Sequence, residues 1–279
     1  ACLTSVLDQD YNNIEMIVVD EGSADGSYLL AKKLLKDRGK VFTLDHRGAC
    51  FARNYGFKKS EGSYIQFLDA DDILSGNKIS EQVRVLSKSG KKNLVTCPWD
   101  RFVVDISEAT FHPRKLYRDF EMPLDWFKIA WLKDEMMTSH AWLIPRDLIE
   151  MAGLWNEDLK INQDGEFMSR VILKSEKILF APEAKVYYRS GNSGSITKNY
   201  FKKEKAQSLL DSYLLYVENL RDRLDDDELR RALSRNFLGF IYLYHPHYPD
   251  LIREARLQIE KLNISSVPLV GGKNFKRLS

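Results

Sequence analysis

The chain has 279 residues, 44% of them hydrophobic and 29% charged, with a net charge of +2. That composition belongs to a globular protein of one large domain, or a domain with an appendage, and excludes a disordered or fibrous chain. Near-neutral charge gives no footprint for nucleic acid, no apolar run approaches the ~18–20 residues of a membrane span, and Cys2, Cys50 and Cys97 lack metal-ligand spacing and fit a reduced, cytoplasmic setting.

Residues 1–7 read as the back half of a helix, which leads to the expectation that a segment upstream is missing. A strand at 14–19 runs into Asp20-Glu21-Gly22-Ser23-Ala24-Asp25-Gly26-Ser27, followed by a helix over 28–38. Acids and glycines at a strand-to-helix turn lie at the carboxyl edge of a parallel sheet, where such folds bind ligands. Ser23 and Asp25 are accounted for as turn or cap residues; Asp20 and Glu21, coming straight off an apolar strand, are less so. A short strand at 41–44 precedes His46-Arg47-Gly48 and a helix that carries Arg53. A guanidinium there is able to grip a diphosphate through its forked donors, although taken alone it also fits a surface arginine. Alternation of helices and strands to this point predicts a mostly parallel α/β sheet.

Tyr64-Ile65-Gln66-Phe67-Leu68 reads as a buried strand that ends in Asp69, Asp71 and Asp72. If the strand continues, Asp69 and Asp71 share one face. Crowded carboxylates repel unless a cation neutralises them, and Mg²⁺ or Mn²⁺ favours such an oxygen site beside phosphates. A solvated turn with Asp72 as a helix cap is the competing reading.

Further on, residues 79–87 are an amphipathic helix, 93–97 and 101–104 are strands, and 111–122 is a loop. Residues 138–146 predict a strand leading to a helix near 147–152, with His140 either lining an acceptor pocket or held as a structural histidine. Gly153-Leu154-Trp155-Asn156-Glu157 and Asn162-Gln163-Asp164-Gly165-Glu166 precede a helix to 173, with Asp164 also readable as its N-cap. Residues 177–181 and 184–188 form a last strand pair, and long charged helices fill 200–262.

Three stretches in order carry a resemblance: Asp20-Glu21-Gly22-Ser23-x-Asp25-Gly26-Ser27, Gly48-x-x-x-Ala52-Arg53-Asn54-x-Gly56, and Gly62-x-Tyr64-Ile65-x-Phe67-Leu68-Asp69-Ala70-Asp71-Asp72. Together they resemble the nucleotide-sugar half of glycosyltransferase family 2, the inverting enzymes of the GT-A fold. The resemblance implies an α/β, Rossmann-like GT-A domain over 1–198, truncated at its N-terminus, and a helical C-terminal region over 199–279. It implies that Asp20 and Glu21 contact the nucleobase, with Glu21 where relatives usually have Asp, and that Arg53 faces the diphosphate. Asp69 and Asp71 form the DxD motif and share donor contacts and metal coordination with Asp72, the metal falling to Asp71 and Asp72. Asp164 stands where the family carries its catalytic base, Gln163 replaces the usual Glu beside it, and Glu166 is the fallback. The loop from Arg189 to Ser195 has Gly191 where the family often has a histidine.

The implied activity is metal-dependent transfer of a sugar, with inversion, from a nucleoside-diphosphate sugar, expected to be a UDP-sugar, to a glycan or lipid-linked acceptor in cell-surface polysaccharide synthesis. A nucleotide-sugar-binding protein without turnover is the alternative. A phosphatase-like Asp-x-Asp enzyme fits less well, because Ile73 stands where such enzymes carry a hydroxyl residue. The basic tail from Lys273 to Arg277 is a candidate peripheral contact with an anionic membrane surface.

Overall fold

In the computed structural model, residues 1–90, 92–191 and 200–266 are described. The N-terminal half alternates as the sequence predicts: α1 (Cys2–Leu7), β1 (Met16–Asp20), α2 (Ser27–Leu35), β2 (Gly39–Thr43), α3 (Ala49–Lys59) and β3 (Tyr64–Ile65). β1 and β2 pair in parallel, with Asp20 opposite Thr43, so the loops that follow both strands leave from one edge. Gly39 is required there, because a Cβ would run into the Met16 carbonyl.

β3 stops after two residues. The expected strand to Leu68 does not form; instead the Asp72 N–H closes a turn onto the Asp69 carbonyl at 3.2 Å. Asp69 and Asp72 are therefore the two ends of a turn, and strand alternation between Asp69 and Asp71 does not apply. β4 (Ile73–Leu74), α4 (Lys78–Ser87), β5 (Asn93–Thr96) and β6 (Trp99–Phe102) follow. β5 is buried at every position, as its apolar centre requires.

α5 (Pro123–Lys133) begins on a proline whose missing N–H costs the first turn nothing. Residues 138–143 do not form the expected strand: Ser139–Ala141 make a 3₁₀ turn, Leu143 makes a single antiparallel bridge with Val95, and β7 (Ile144–Pro145) pairs antiparallel to β3. α6 (Arg146–Ala152) and α7 (Gln163–Lys174) come next, then β8 (Lys177–Phe180) and β9 (Val186–Arg189). These last two strands are not partners. β8 lies parallel to β5, while β9 runs between β4 and β6, antiparallel to the first and parallel to the second. The architecture is α/β as expected, with β1–β2, β5–β8 and β6–β9 parallel and β3–β7 and β4–β9 antiparallel.

Three helices close the described chain: α8 (Lys203–Asn219), α9 (Asp227–Tyr244) and α10 (Pro249–Leu262). Asp226 caps α9 by accepting the Leu229 N–H at 3.0 Å, and Leu229, Leu233, Phe237, Phe240 and Tyr244 bury one helical stripe. One apolar cluster links these residues to Trp126, Trp142 and Phe167, so the helical part shares its core with the α/β part. Among the described residues no helix is long and apolar enough to cross a membrane. Ser195, the residues on either side of the expected 198/199 boundary, and the basic tail lie outside the described residues.

Candidate active site

The turn after β3 gathers the carboxylates. Asp69 Oδ1 accepts from an Arg53 Nη at 2.7 Å, and the same guanidinium lies 4.5 Å from the centre of the Trp155 ring. Asp72 has no exposed surface, and its Oδ1 accepts the Arg189 N–H at 2.6 Å. Asp72 Oδ2 stands 2.7 Å from Nε2 of the buried His140. The two groups are each other's partner in this buried pair, and among the described residues neither atom has a further one. Asp71 points its residue surface outward, and its backbone carbonyl accepts from Arg189 Nε at 3.1 Å.

The two turn carboxylates are driven apart electrostatically. Burial pushes both upward; at Asp69 the Arg53 charge, then His140, outweigh it and hold the carboxyl below its ordinary value. At Asp72 burial prevails over the His140 imidazole and the Arg189 N–H, with Asp71 adding repulsion, so the carboxyl is raised. A carboxylate held charged by arginine and a second in want of a positive neighbour form an incomplete site. Asp69, Asp72 and His140 each offer a ligand atom within 4.8 Å of the others. Two carboxylates and an imidazole, with the buried Asp72 Oδ2 and His140 Nε2 meeting only each other among the described residues, fit a divalent cation.

Asp20 and Glu21 shape the neighbouring edge. Asp20 Oδ2 accepts from the Gly22 and Ser23 N–H groups at 3.2 and 3.1 Å, bending the chain as it leaves β1. Gly22 has φ 77°, a left-handed conformation that glycine adopts without strain. Glu21 Oε1 accepts the Arg47 N–H at 3.2 Å, tying the loop after β1 to the loop after β2. Both acids thus stand at the carboxyl edge of the parallel pair.

On the opposite flank, α3 is clamped to the segment before α7. Buried Asn54 donates to the Trp155 carbonyl and to Glu157 Oε1, both at 2.9 Å, and accepts the Trp155 N–H at 2.9 Å. Trp155 stacks on Phe167 with centroids 4.2 Å apart, and Phe67 meets both rings edge-on. This aromatic block joins the Asp69 turn to α7. The α7 N-cap is Asn162, in the left-handed region at φ 55°, so Asp164 lies inside the first turn and is not the cap. Asn162 is fixed by hydrogen bonds to Ser212 and Tyr216 hydroxyls, both at 2.8 Å, which leaves no room for a Cβ at Gly165.

The three polar residues of that turn differ in occupation. Gln163 Nε2 donates to the Leu159 carbonyl at 2.6 Å. Glu166, 2% exposed, is paired through both oxygens with Arg170, at 2.7 and 2.9 Å, and Arg170 also holds the Ala152 and Leu154 carbonyls. Burial works against the Arg53 guanidinium, but Asp69 above all, with Cys50 and half-buried Asp164 adding less, holds it above its usual value. Sequence spacing had no means of linking residue 54 to 155, nor of placing His140 on Asp72.

The matched family model is that of glycosyl transferase family 2, over residues 1–151. The chain belongs to that family. It is 30% identical over 162 residues to an uncharacterized glycosyltransferase of Rickettsia typhi, covering 58% of this chain and 50% of that protein. It is also 25% identical over 279 residues to the minor teichoic acid biosynthesis protein GgaA of Bacillus subtilis, covering 93% of this chain and 59% of that one. The chain therefore spans only about half the length of curated relatives it matches. In fold it is similar to TarS residues 1–349 of S. aureus, solved with UDP-GlcNAc, at TM-score 0.73 and 17% identity, covering 94% of this chain and 76% of that one.

Proposed function

We propose that this protein transfers a sugar from a nucleoside-diphosphate sugar to an acceptor hydroxyl in one inverting displacement, with Asp164 as the base. The observation that carries the reading is the gathering of Asp69, Asp72 and His140 ligand atoms within 4.8 Å of one another, with Arg53 bonded to Asp69 beside them. Asp20 and Glu21, at the edge of the parallel strands, take the nucleobase and ribose. Arg53 takes the diphosphate, whose negative charge grows as the bond to the sugar breaks. Asp69 and Asp72, with Asp71 beside them, would hold the divalent ion. When bound, Mg²⁺ or Mn²⁺ neutralises the departing diphosphate.

Asp164 accepts the proton of the acceptor hydroxyl as its oxygen attacks the anomeric carbon from the face opposite the diphosphate. The C–O bond to the acceptor forms while the C–O bond to the diphosphate breaks, so no covalent enzyme intermediate arises. The complete ion pair of Glu166 with Arg170 supports Asp164 over Glu166 in this role. A UDP-sugar donor is supported by the UDP-GlcNAc complex of the fold neighbour, and a cell-surface polysaccharide acceptor by the teichoic acid relative. We further assign residues 1–198 to the transferase domain and 199–279 to a C-terminal region whose described part is α8, α9 and α10. The test is a hydrolysis screen of nucleotide sugars with and without EDTA. Metal-dependent release of UDP from one sugar is expected; release of no nucleotide from any donor would contradict the assignment.

A further inference from the structure

We propose that His140 is a nitrogen ligand of the divalent cation at the Asp69–Asp72 turn, that it biases the site toward Mn²⁺ over Mg²⁺, and that Gln66 and Gln82 position it. The proposal rests on the donor-site reading above. His140 sits in the 3₁₀ turn Ser139–Ala141 and is 1% exposed, with its ring stacked on Tyr188 at 5.8 Å and 21°. A buried polar atom needs a partner, since an unmet one in the interior is costly. Among the described residues His140 Nε2 meets only Asp72 Oδ2, at 2.7 Å, and both are ligand atoms that stand within 4.8 Å of one offered by Asp69. A cation among the three would be held by two carboxylates and a ring nitrogen.

The backbone on either side of that ring is held with unusual care. The Gln66 Nε2 donates to the His140 carbonyl at 3.0 Å, and the Gln82 Nε2 donates to the Ala141 carbonyl at 2.8 Å. Two consecutive carbonyls are thus each gripped by an amide. Gln66 cannot turn over, because its Oε1 accepts from the ammonium of Lys78, a lysine with no exposed surface. Its Nε2 also donates to the Phe67 carbonyl at 2.6 Å, two residues before Asp69. One amide therefore fixes the histidine turn and the carboxylate turn relative to each other. Hard Mg²⁺ favours an all-oxygen shell, whereas an imidazole suits transition ions, and this donor set leans the same way.

The experiment is pulsed electron paramagnetic resonance of Mn²⁺ bound to the full chain with UDP. Coupling to ¹⁴N reports a bound imidazole, and coupling to ³¹P reports the diphosphate on the same ion. Wild type should show both. His140→Gln should keep the ³¹P coupling, lose the ¹⁴N coupling, and narrow the preference for Mn²⁺ over Mg²⁺ in competition. Gln82→Leu, with circular dichroism as the folding control, should weaken Mn²⁺ binding about 10–100-fold, as loss of a ligand-orienting group does. A wild-type spectrum with ³¹P but no ¹⁴N coupling overturns the histidine ligand and leaves the donor reading standing. Absence of both couplings, with no UDP retained under any metal, overturns the donor reading and this proposal together.

Discussion

Replacing Glu166 with Gln separates a structural acid from a catalytic one. Glu166 is 3% exposed at its side chain and Arg170 18%, and the pair is bidentate. Gln keeps one acceptor for the guanidinium but loses the second charge-assisted bond and the neutralising charge. Breaking a fully buried pair costs about 3–5 kcal/mol; the partial exposure of Arg170 and the retained acceptor reduce this to about 2–3 kcal/mol. Arg170 then holds the Ala152 and Leu154 carbonyls less firmly, which loosens the segment leading to Trp155. In a chain of this size that loss lowers the thermal midpoint by roughly 4–10 °C. Differential scanning calorimetry measures the midpoint, and transfer per folded molecule at a temperature well below it measures catalysis. The expected outcome is a lower midpoint with transfer within about threefold of wild type. An unchanged midpoint with transfer down by about 10²-fold or more would refute the structural role and move the base to Glu166.

Asp72→Asn keeps an oxygen for the Arg189 N–H but removes the buried charge, so metal-dependent UDP binding by calorimetry should fall at least about tenfold. Asp71→Ala, on the exposed side of the turn, should lose less, and equal losses would contradict that ranking. Burial pushes the Lys78 ammonium from 10.5 down to about 8, with Cys97 opposing weakly. Between those values the unfolded chain binds more protons than the folded one, so this group makes stability rise with pH, by at most about 1.4 kcal/mol per pH unit. Urea midpoints of wild type and Lys78→Met from pH 7 to 9.5 should differ by a gap that changes across that window; parallel curves would refute the buried charge.

The elements that carry Asp20, Glu21 and Arg53 were readable because their signals are local: the two acids follow an apolar strand, and Arg53 sits on a helix that follows a glycine entry. The strand after Tyr64 was over-extended: Phe67 is buried by packing on Trp155 and Phe167 rather than by pairing in the sheet, and an apolar run cannot tell the two apart. Of the two readings of Asp164, helix cap or base, the cap falls away: Asn162 takes the N-cap position in a left-handed conformation, held there by Ser212 and Tyr216, which lie about fifty residues on in the chain. Long-range convergence was the part that local pattern does not encode. The grip of Asn54 on Trp155, the Gln66 and Gln82 amides on the His140 turn, and the approach of His140 to Asp72 all join residues from separate stretches.

The most direct test of the central claim is Asp164→Asn, read as transfer rate beside donor affinity. Asn matches Asp in size but accepts no proton, and general-base catalysis contributes roughly 10²–10⁴-fold, so transfer should fall by about that factor. Donor affinity, which the proposal assigns to Glu21, Arg53, Asp69 and Asp72, should stay within about threefold, and the fold should hold because Asn162 and not Asp164 occupies the N-cap position. Wild-type transfer in Asp164→Asn would contradict the account and leave Asp164 as no more than a polar residue of the first turn of α7.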